Sequence, residues 1–257
     1  MIKQPIKMKK IDKLRVEVYE NRTDMGKSAG IAVANKMRDL LAKQKQVRMI
    51  FASAPSQNEF LEQLRQEDRI DWSRIIAFHM DEYIGLLKNS PQLFSNYIKD
   101  HLFSFVSPGE VHYINSANSI SDECMRYKKL ISEAPIDIVC LGIGENGHIA
   151  FNDPPVANFH DQEIVKPVKL DEMCRQQQVN DGCFPQLREV PTHALTLTIP
   201  TLLSGSYLFC IVPGKTKAAA IQSTLYGDIS TTCPASCLRK HSNCVLYLDQ
   251  DSFGVEI

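Results

Sequence analysis

The segment 136–155 constrains the fold of this chain more than any other part of the sequence. It begins with a six-residue run that is apolar and largely β-branched except at Asp137, as expected of a buried strand. Glycines follow at positions 142, 144 and 147, where they let the backbone turn sharply and approach a ligand closely. The segment ends on two consecutive prolines, so no long helix fits directly after the turn. It therefore predicts a strand that leads into a tight, ligand-facing turn.

Strand-like and helix-like patterns alternate over the rest of the chain. Strands are predicted at 14–19, 47–51, 75–78, 111–114, 136–141, 164–170, 195–199, 207–212 and 244–248. Helices are predicted at 23–43, 56–64, 93–103, 122–132, 171–178 and 216–225. Thr23 or Asp24 is the expected N-cap of the first helix, and Ser56 with Glu59 forms a capping-box pattern for the second. The alternation predicts a doubly wound α/β fold, with a mostly parallel sheet and helices on both faces, in a single domain 1–257.

Charge and hydropathy exclude several classes of protein. The 257 residues include 29 basic and 30 acidic side chains, so the net charge of −1 attracts neither nucleic acid nor an anionic membrane. No apolar run approaches the ~20 residues of a membrane-spanning helix, and the basic N-terminus lacks the apolar core of a secretory signal. We therefore expect a cytoplasmic protein without a nucleic-acid or membrane partner.

The eight cysteines are scattered along the chain. Cys140, Cys210 and Cys244 lie in strand-like apolar contexts, where free cysteine behaves as a small buried hydrophobe. Cys233 and Cys237 are separated by three residues, but no second pair or histidine pair at zinc spacing accompanies them. The cysteines are interpreted as reduced and structural, and no metal is expected.

The glycines of the turn match the G-x-G-x-x-G spacing of dinucleotide-binding proteins. That motif requires a helix of ordinary length after the third glycine, with its N-terminus facing the pyrophosphate. Here a histidine follows Gly147 directly and the prolines come within two helical turns. The sequence therefore argues against a nicotinamide cofactor, and no cofactor is expected.

His148 is the leading candidate for acid–base chemistry. A single histidine is often a structural residue, but its place in a glycine turn at the carboxyl end of a buried strand favours function, because ligands bind there in open α/β sheets. Asp153 is the candidate to orient the imidazole or share its proton. Asn146 can donate and accept hydrogen bonds but cannot take a proton, so it is a candidate orienting group.

Asp81 and Glu82 follow another predicted strand, again at its carboxyl end. They could be a helix cap or a solvated acidic turn. If two strand ends each deliver a carboxylate, however, a convergent pocket for proton transfer on a small polar substrate becomes the better interpretation.

Lys217 lies where a helix is predicted to begin, so a phosphate there would meet free backbone N–H groups and an ammonium. A solvated lysine is the alternative. Ser53 and Ser56 bracket a strand-to-helix turn that could also hold a phosphate, unless Ser56 is occupied in capping its helix.

Three motifs in this order resemble the glucosamine-6-phosphate deaminase (isomerase) family. They are MDEYIGL at 80–86, LGIGENGHIAFNDP at 141–154 and VPGKTKA at 212–218, with weaker similarity at 190–203 and 234–241. The similarity thus extends over most of the chain. The related 6-phosphogluconolactonases share the glycine–histidine turn, but they usually continue it with a Thr-Ala-Ser-like sequence that this chain lacks.

The resemblance implies roles for individual residues. Asp81 matches the aspartate that moves a proton between C2 and C1 of the substrate, and His148 matches the histidine that acts on the ring oxygen. Asp153 and Asn146 fall where the family usually has a glutamate and often an aspartate that support this histidine. Lys217 matches a phosphate-binding lysine. Ser53, Ser56 and Gly147 are further candidate substrate-binding positions, and the chemistry requires no metal.

Two departures from the family pattern concern the phosphate site. The first phosphate loop, usually rich in glycine and threonine, reads FASAPSQ at 51–57, and the expected arginine has no clear counterpart at 176–184. The resemblance therefore implies an amino-sugar-phosphate deaminase, most simply of glucosamine 6-phosphate, and a possible homo-oligomer. The alternatives are another sugar-phosphate isomerase, a lactonase-type hydrolase, or a sugar-phosphate sensor without turnover.

Overall fold

A computed structural model describes residues 3–254. Its strands are β1 (Lys7–Ile11), β2 (Leu14–Tyr19), β3 (Val47–Phe51), β4 (Ile75–His79), β5 (Asp81–Tyr83), β6 (Glu110–His112), β7 (Ile138–Leu141), β8 (Val165–Lys169), β9 (His193–Leu197), β10 (Tyr207–Val212) and β11 (Cys244–Asp249). Its α-helices are α1 (Arg22–Leu41), α2 (Asn58–Gln66), α3 (Phe94–Ile98), α4 (Ile120–Ser132), α5 (Glu172–Asn180), α6 (Ile199–Leu203), α7 (Ala218–Tyr226) and α8 (Gln250–Phe253). No helix within 3–254 is both long and apolar enough to cross a membrane.

Eight strands form one large sheet in the order β1-β2-β11-β10-β7-β3-β4-β6. Only the edge pair β1–β2 is antiparallel, and the other neighbours in this sheet are parallel. From β3 the chain proceeds outward to β4 and β6, whereas from β7 it proceeds the other way to β10 and β11. The order therefore reverses between β3 and β7, which is where an open α/β sheet opens a ligand-binding crevice.

Helices cover both faces of the large sheet, as the hydrophobic pattern predicts. Along β10, Leu208, Cys210 and Val212 enter one hydrophobic cluster, whereas Phe209 and Ile211 enter the other. This alternation follows from the two-residue period of a strand. The first cluster includes side chains of α4 and α7, and the second includes side chains of α1 and α2. The predicted doubly wound, mostly parallel α/β fold is thus confirmed.

The sequence patterns did not predict a second sheet. β5, β9 and β8 form a three-stranded antiparallel sheet, in which Asp81 pairs with Thr196. β8 and β9 were expected as strands, but their periodicity cannot identify the strand beside them. Met80 alone separates β4 from β5, so the chain passes directly from one sheet to the other. The first cluster contains residues of both sheets, and the single domain 1–257 stays a prediction.

The helix starts differ from the predicted caps. The Asn21 side chain accepts the backbone N–H of Asp24 at 2.9 Å and caps α1, so the caps proposed at Thr23 or Asp24 were wrong. The Ser56 capping box does not form either, because Pro55 starts a 3₁₀ turn and α2 begins only at Asn58. Glu59 instead accepts hydrogen bonds from Arg22, from Nε at 2.6 Å and from Nη2 at 2.9 Å.

Helices α1 and α2 approach so closely at Gly26 that a Cβ there would lie 2.4 Å from the Glu59 Cβ. An alanine inside a helix normally gains roughly 0.5–1 kcal/mol over glycine. At Gly26 we expect the opposite, because overpacking of this kind typically costs about 1–3 kcal/mol. Urea unfolding should therefore show that Gly26→Ala is destabilised.

The exposed neighbour Lys27 provides the control, and Lys27→Ala should change the free energy of unfolding by less than about 0.5 kcal/mol. A Gly26→Ala protein as stable as the parent would mean that the two helices separate without cost.

Candidate active site

A cleft opens beyond the carboxyl ends of four adjacent strands of the large sheet, β10, β7, β3 and β4. It encloses about 500 Å³, including the space at its open mouth. The predicted residues that line it are Ser53, Ser56, Asp81, His148 and Lys217. The structure therefore brings together side chains that are up to 164 positions apart, from 53 to 217.

Two side-chain oxygens contact Nδ1 of His148. Its Nδ1 lies 2.9 Å from Asp153 Oδ1 and 2.7 Å from Asn146 Oδ1. Asn146 also donates from Nδ2 to Asp153 Oδ1 at 3.0 Å, and its Oδ1 accepts the backbone N–H of His148 at 3.0 Å. The amide orientation of Asn146 is thereby fixed, so both groups that face Nδ1 are acceptors.

This arrangement determines the tautomer of His148. Because Nδ1 faces only acceptors, it carries a proton, and the neutral imidazole has its lone pair on Nε2. The His148 side chain also lines the cleft. Nε2 is therefore the atom that can accept a proton from a ligand and return it.

Asp153 remains ionised behind the histidine. Burial raises the pKa of the Asp153 carboxyl, but hydrogen bonds from His148, Asn146 and the backbone N–H of Asp171 outweigh burial, and the pKa lies below its usual range. The Asp171 N–H reaches Asp153 Oδ2 at 3.1 Å. The Asp153 carboxylate faces Nδ1 and keeps the imidazole ring in its orientation.

Two glycines of the turn have packing roles that the spacing alone did not reveal. A Cβ on Gly144 would lie 2.0 Å from the His148 imidazole, so the ring packs flat against bare backbone. Gly147 has φ +81°, and a Cβ there would lie 2.8 Å from Cys233 Sγ. Gly147 is not among the residues that line the cleft. The predicted substrate contact at Gly147 stays a prediction, whereas its structural role in the turn is visible.

Asp81 reaches the cleft from the small sheet. Its side chain is buried, and within 3–254 no hydrogen-bond donor reaches its carboxyl group. Burial, and then the neighbouring Glu82 carboxyl, raise the pKa of Asp81 well above its usual range. A buried carboxyl group that receives no hydrogen bond from the described residues is a candidate to exchange a proton with a ligand.

Glu82 acts as a helix cap, which was one of the roles considered for both Asp81 and Glu82. Its carboxylate accepts the backbone N–H groups of Tyr83 at 3.0 Å, Phe94 at 2.9 Å and Ser95 at 2.9 Å. It thereby satisfies N–H groups at the start of α3. Burial raises the pKa of Glu82 to about 7, against the lowering effect of these hydrogen bonds.

β9 holds the segment of Asp81 and the turn of His148 together. Thr196 Oγ1 accepts the backbone N–H of Phe151 at 3.1 Å, and the carbonyl of Leu197 accepts Asn152 Nδ2 at 2.8 Å. The same two residues bind the segment of Asp81, through the pairing of Asp81 with Thr196 and a hydrogen bond from Leu197 N to Met80 O at 2.8 Å. The small sheet therefore positions the carboxyl group of Asp81 relative to the turn that carries His148.

Among residues 3–254, Lys217 is the one lysine or arginine that lines the cleft. It is 4% exposed, burial lowers its pKa, and no carboxylate of the described residues forms an ion pair with it. Ser53 also lines the cleft, and its Oγ is buried without a hydrogen-bond partner in this part of the chain. An ammonium group and a hydroxyl donor in one cleft suit an anionic, oxygen-rich ligand.

No arginine of residues 3–254 lines the cleft. Arg175 Nη2 instead donates to the carbonyls of Leu187 at 2.7 Å and Val190 at 2.9 Å, outside the cleft. Two and three positions further along α5, Gln177 and Gln178 line the cleft. Gln177 Oε1 accepts the backbone N–H of Glu145 at 2.8 Å. The sequence pattern of α5 gave no sign that these glutamines face the site.

The fold and the site together define an α/β protein with a cleft at its topological switch point that is lined by Asp81, His148 and Lys217. The sequence profile of the glucosamine-6-phosphate isomerases/6-phosphogluconolactonase matches residues 20–247. The chain belongs to this family of sugar-phosphate enzymes.

Relatives and solved structures agree with this assignment. The glucosamine-6-phosphate deaminase of Alkaliphilus metalliredigens is 30% identical over 244 residues, which are 93% of this chain and 98% of the relative. Glucosamine-6-phosphate deaminase 1 of Bacillus subtilis is 36% identical over 193 residues, 74% of this chain and 78% of the relative.

A solved monomeric glucosamine-6-phosphate deaminase superposes with a TM-score of 0.85 at 28% identity, covering 93% of this chain and 98% of its own. The 6-phosphogluconolactonase of Thermotoga maritima has a TM-score of 0.76 at 22% identity, covering 93% of this chain and 100% of its own, and shows the shared fold alone.

The buried Glu82 predicts a pH dependence of stability. Its folded pKa of about 7 lies above the ordinary value of 4.5, so the folded protein holds a proton that the unfolded chain loses between these values. The contribution of Glu82 to the free energy of unfolding is therefore on the order of 3 kcal/mol. It is fully present below pH ~4.5 and is lost as the pH rises through ~7.

The comparison of parent and Glu82→Gln isolates this contribution, because other buried groups titrate in both proteins. The unfolding free energy of the parent minus that of Glu82→Gln should fall as the pH rises from ~4.5 to ~7. The exposed Glu133→Gln is the control and should give a difference that is flat with pH. A flat difference for Glu82→Gln would contradict the raised pKa.

Proposed function

We propose that this chain converts glucosamine 6-phosphate and water into fructose 6-phosphate and ammonia. The observation that carries the proposal is the convergence of Asp81, His148 and Lys217 on one cleft. Two acid–base groups and an anion anchor are the minimum that a proton transfer within a sugar phosphate requires. The names of the relatives at 30–36% identity point to the same reaction.

Substrate binding begins at the anion site. The Lys217 ammonium and the Ser53 and Ser56 hydroxyls would hold the phosphate, with the backbone N–H of Ser56 in the same 3₁₀ turn. A phosphate brings hydrogen-bond acceptors to the Ser53 hydroxyl, which otherwise lacks a partner among the described residues. No arginine of residues 3–254 lines the cleft, so these groups would bind the phosphate less strongly than a site that includes a bidentate arginine.

Ring opening falls to His148. The C1 hydroxyl of the pyranose must lose a proton and the ring oxygen must gain one, and Nε2 can perform both transfers in sequence. Asp153 and Asn146 hold Nδ1–H, so the ring keeps its orientation in both protonation states. The product of this step is the open-chain aldehyde.

Asp81 then moves a proton from C2 to C1. Removal of the C2 proton gives an enaminol, and return of the proton to C1 gives an imine at C2. Water adds to this imine, and the C2–N bond breaks to release ammonia and the ketose. The carboxyl group is suited to the step because its raised pKa strengthens the carboxylate as a base.

An ammonia-release assay over a panel of amino-sugar phosphates tests the proposed reaction. We expect release from glucosamine 6-phosphate, with fructose 6-phosphate formed in equal amount. Hydrolysis of a phosphogluconolactone without ammonia release would replace the proposal with the lactonase alternative. Binding of the panel without any turnover would indicate a sensor. A cytoplasmic location and homo-oligomers stay predictions.

The role of Asp81 can be tested separately from binding. In Asp81→Asn the amide cannot take up the C2 proton, so kcat should fall by about 10²–10⁴-fold while KM changes little. Exchange of the C2 proton with deuterated solvent, followed by NMR, should slow in parallel. Exchange at the parent rate in Asp81→Asn would show that another group removes this proton.

Lys217 and Lys215 form a matched pair in one 3₁₀ turn, since Lys217 is buried in the cleft and Lys215 is exposed. Lys217→Ala should raise KM by roughly 10–100-fold, the loss expected for a charge-assisted hydrogen bond of about 1.5–3 kcal/mol. Lys215→Ala should leave KM within twofold. Equal effects of the two substitutions would place the phosphate elsewhere.

A further inference from the structure

The Cys174 thiol lies close to the His148–Asp153 pair. One ligand-capable atom each of His148, Asp153 and Cys174 lies within 4.8 Å of the other two, and all three residues are buried. Cys174 belongs to α5, so a thiol from one element meets an imidazole and a carboxylate from another. This cluster could not be predicted from the sequence, because the three residues have no metal-binding spacing.

The donor set is the one that zinc selects. Imidazole nitrogen, carboxylate oxygen and thiolate sulfur bind Zn²⁺ at about 2.0–2.3 Å, which places tetrahedral ligands roughly 3.3–3.8 Å apart. The Nδ1–Oδ1 distance of 2.9 Å and the 4.8 Å limit of the cluster span this range, so small side-chain movements suffice. A neutral imidazole, one carboxylate and one thiolate also balance the charge of a divalent cation, as a buried site requires.

Access and a fourth ligand are available from a second depression. Asp153 and Asp171 both line this second depression, and His148 is not among its lining residues. Asp171 Oδ2 lies 3.5 Å from Asn146 Nδ2, which itself donates to Asp153. An ion entering here would meet Asp153 first, and either Asp171 or water could complete four-coordination.

We propose that His148, Asp153 and Cys174 form an inhibitory binding site for Zn²⁺ or a similar thiophilic divalent cation. Coordination at Nδ1 replaces the proton held between His148 and Asp153, and the released protons go to solvent. The imidazole is then a metal ligand and no longer the orientated acid–base group. Ion binding is independent of the proposed deaminase reaction, whereas the inhibition rests on that reaction.

Cobalt provides a direct test on the full-length protein after EDTA treatment and removal of the chelator under reducing conditions. One equivalent of Co²⁺ should produce a thiolate-to-cobalt charge-transfer band in the near ultraviolet, and Zn²⁺ should displace it. Cys174→Ser should abolish the band and weaken Zn²⁺ binding by at least about tenfold. His148→Gln changes a proposed ligand on a different segment of the chain and should weaken Zn²⁺ binding by a similar factor.

Cys183→Ser is the matched control, because Cys183 is a partly buried thiol just beyond α5 that is not part of the cluster. It should keep the band and the affinity. A band that survives in Cys174→Ser, or the absence of a band in the parent protein, would overturn the site. If ammonia release is observed, Zn²⁺ should suppress it and EDTA should restore it; unchanged release with the ion bound would overturn the inhibition. If no release is observed, the deaminase proposal fails and the cobalt spectrum still decides the site.

Discussion

The hydrogen bonds that converge on His148 Nδ1 determine what the rest of the cleft can do. Asp153 and Asn146 both present acceptors to this nitrogen, and the reading of Nε2 as the working atom follows from that fact. The absence of a side chain at Gly144 leaves room for the His148 ring in this position, because any side chain there would displace the ring. An arrangement that depends on two oxygens and one missing Cβ tolerates little change, although neither Asp153 nor Asn146 lines the cleft.

Asp81 and Glu82 show how neighbouring acids acquire different roles. In a strand, successive side chains point to opposite sides, so one carboxyl group enters the cleft and the other turns towards α3. Burial raises the pKa of both. Only Glu82 receives backbone hydrogen bonds, and only Asp81 remains without a protein donor among the described residues. The difference between a structural and a reactive carboxyl group lies in these contacts.

Sequence reasoning succeeded where the relevant information is local. The strand, the glycine turn and the position of His148 are adjacent in the chain, and parallel strands bring the ends that carry Ser53 and Lys217 to the same edge. It failed where packing decides: the separate small sheet, the glutamines of α5 and the thiol of Cys174 depend on contacts between distant segments. The cap at Ser56 failed for a local reason, since Pro55 starts the turn earlier than the capping pattern implies.

The attachment of two segments to Thr196 and Leu197 of β9 fixes the distance between them. The segment of Asp81 and the turn of His148 both bond to these two consecutive residues, and a strand stretches very little along its length. The separation between Asp81 and His148 is therefore set by the backbone of β9 and not by the choice of side chains. Lys217 instead follows β10 of the large sheet. A change in the position of Lys217 consequently leaves the separation between Asp81 and His148 unchanged.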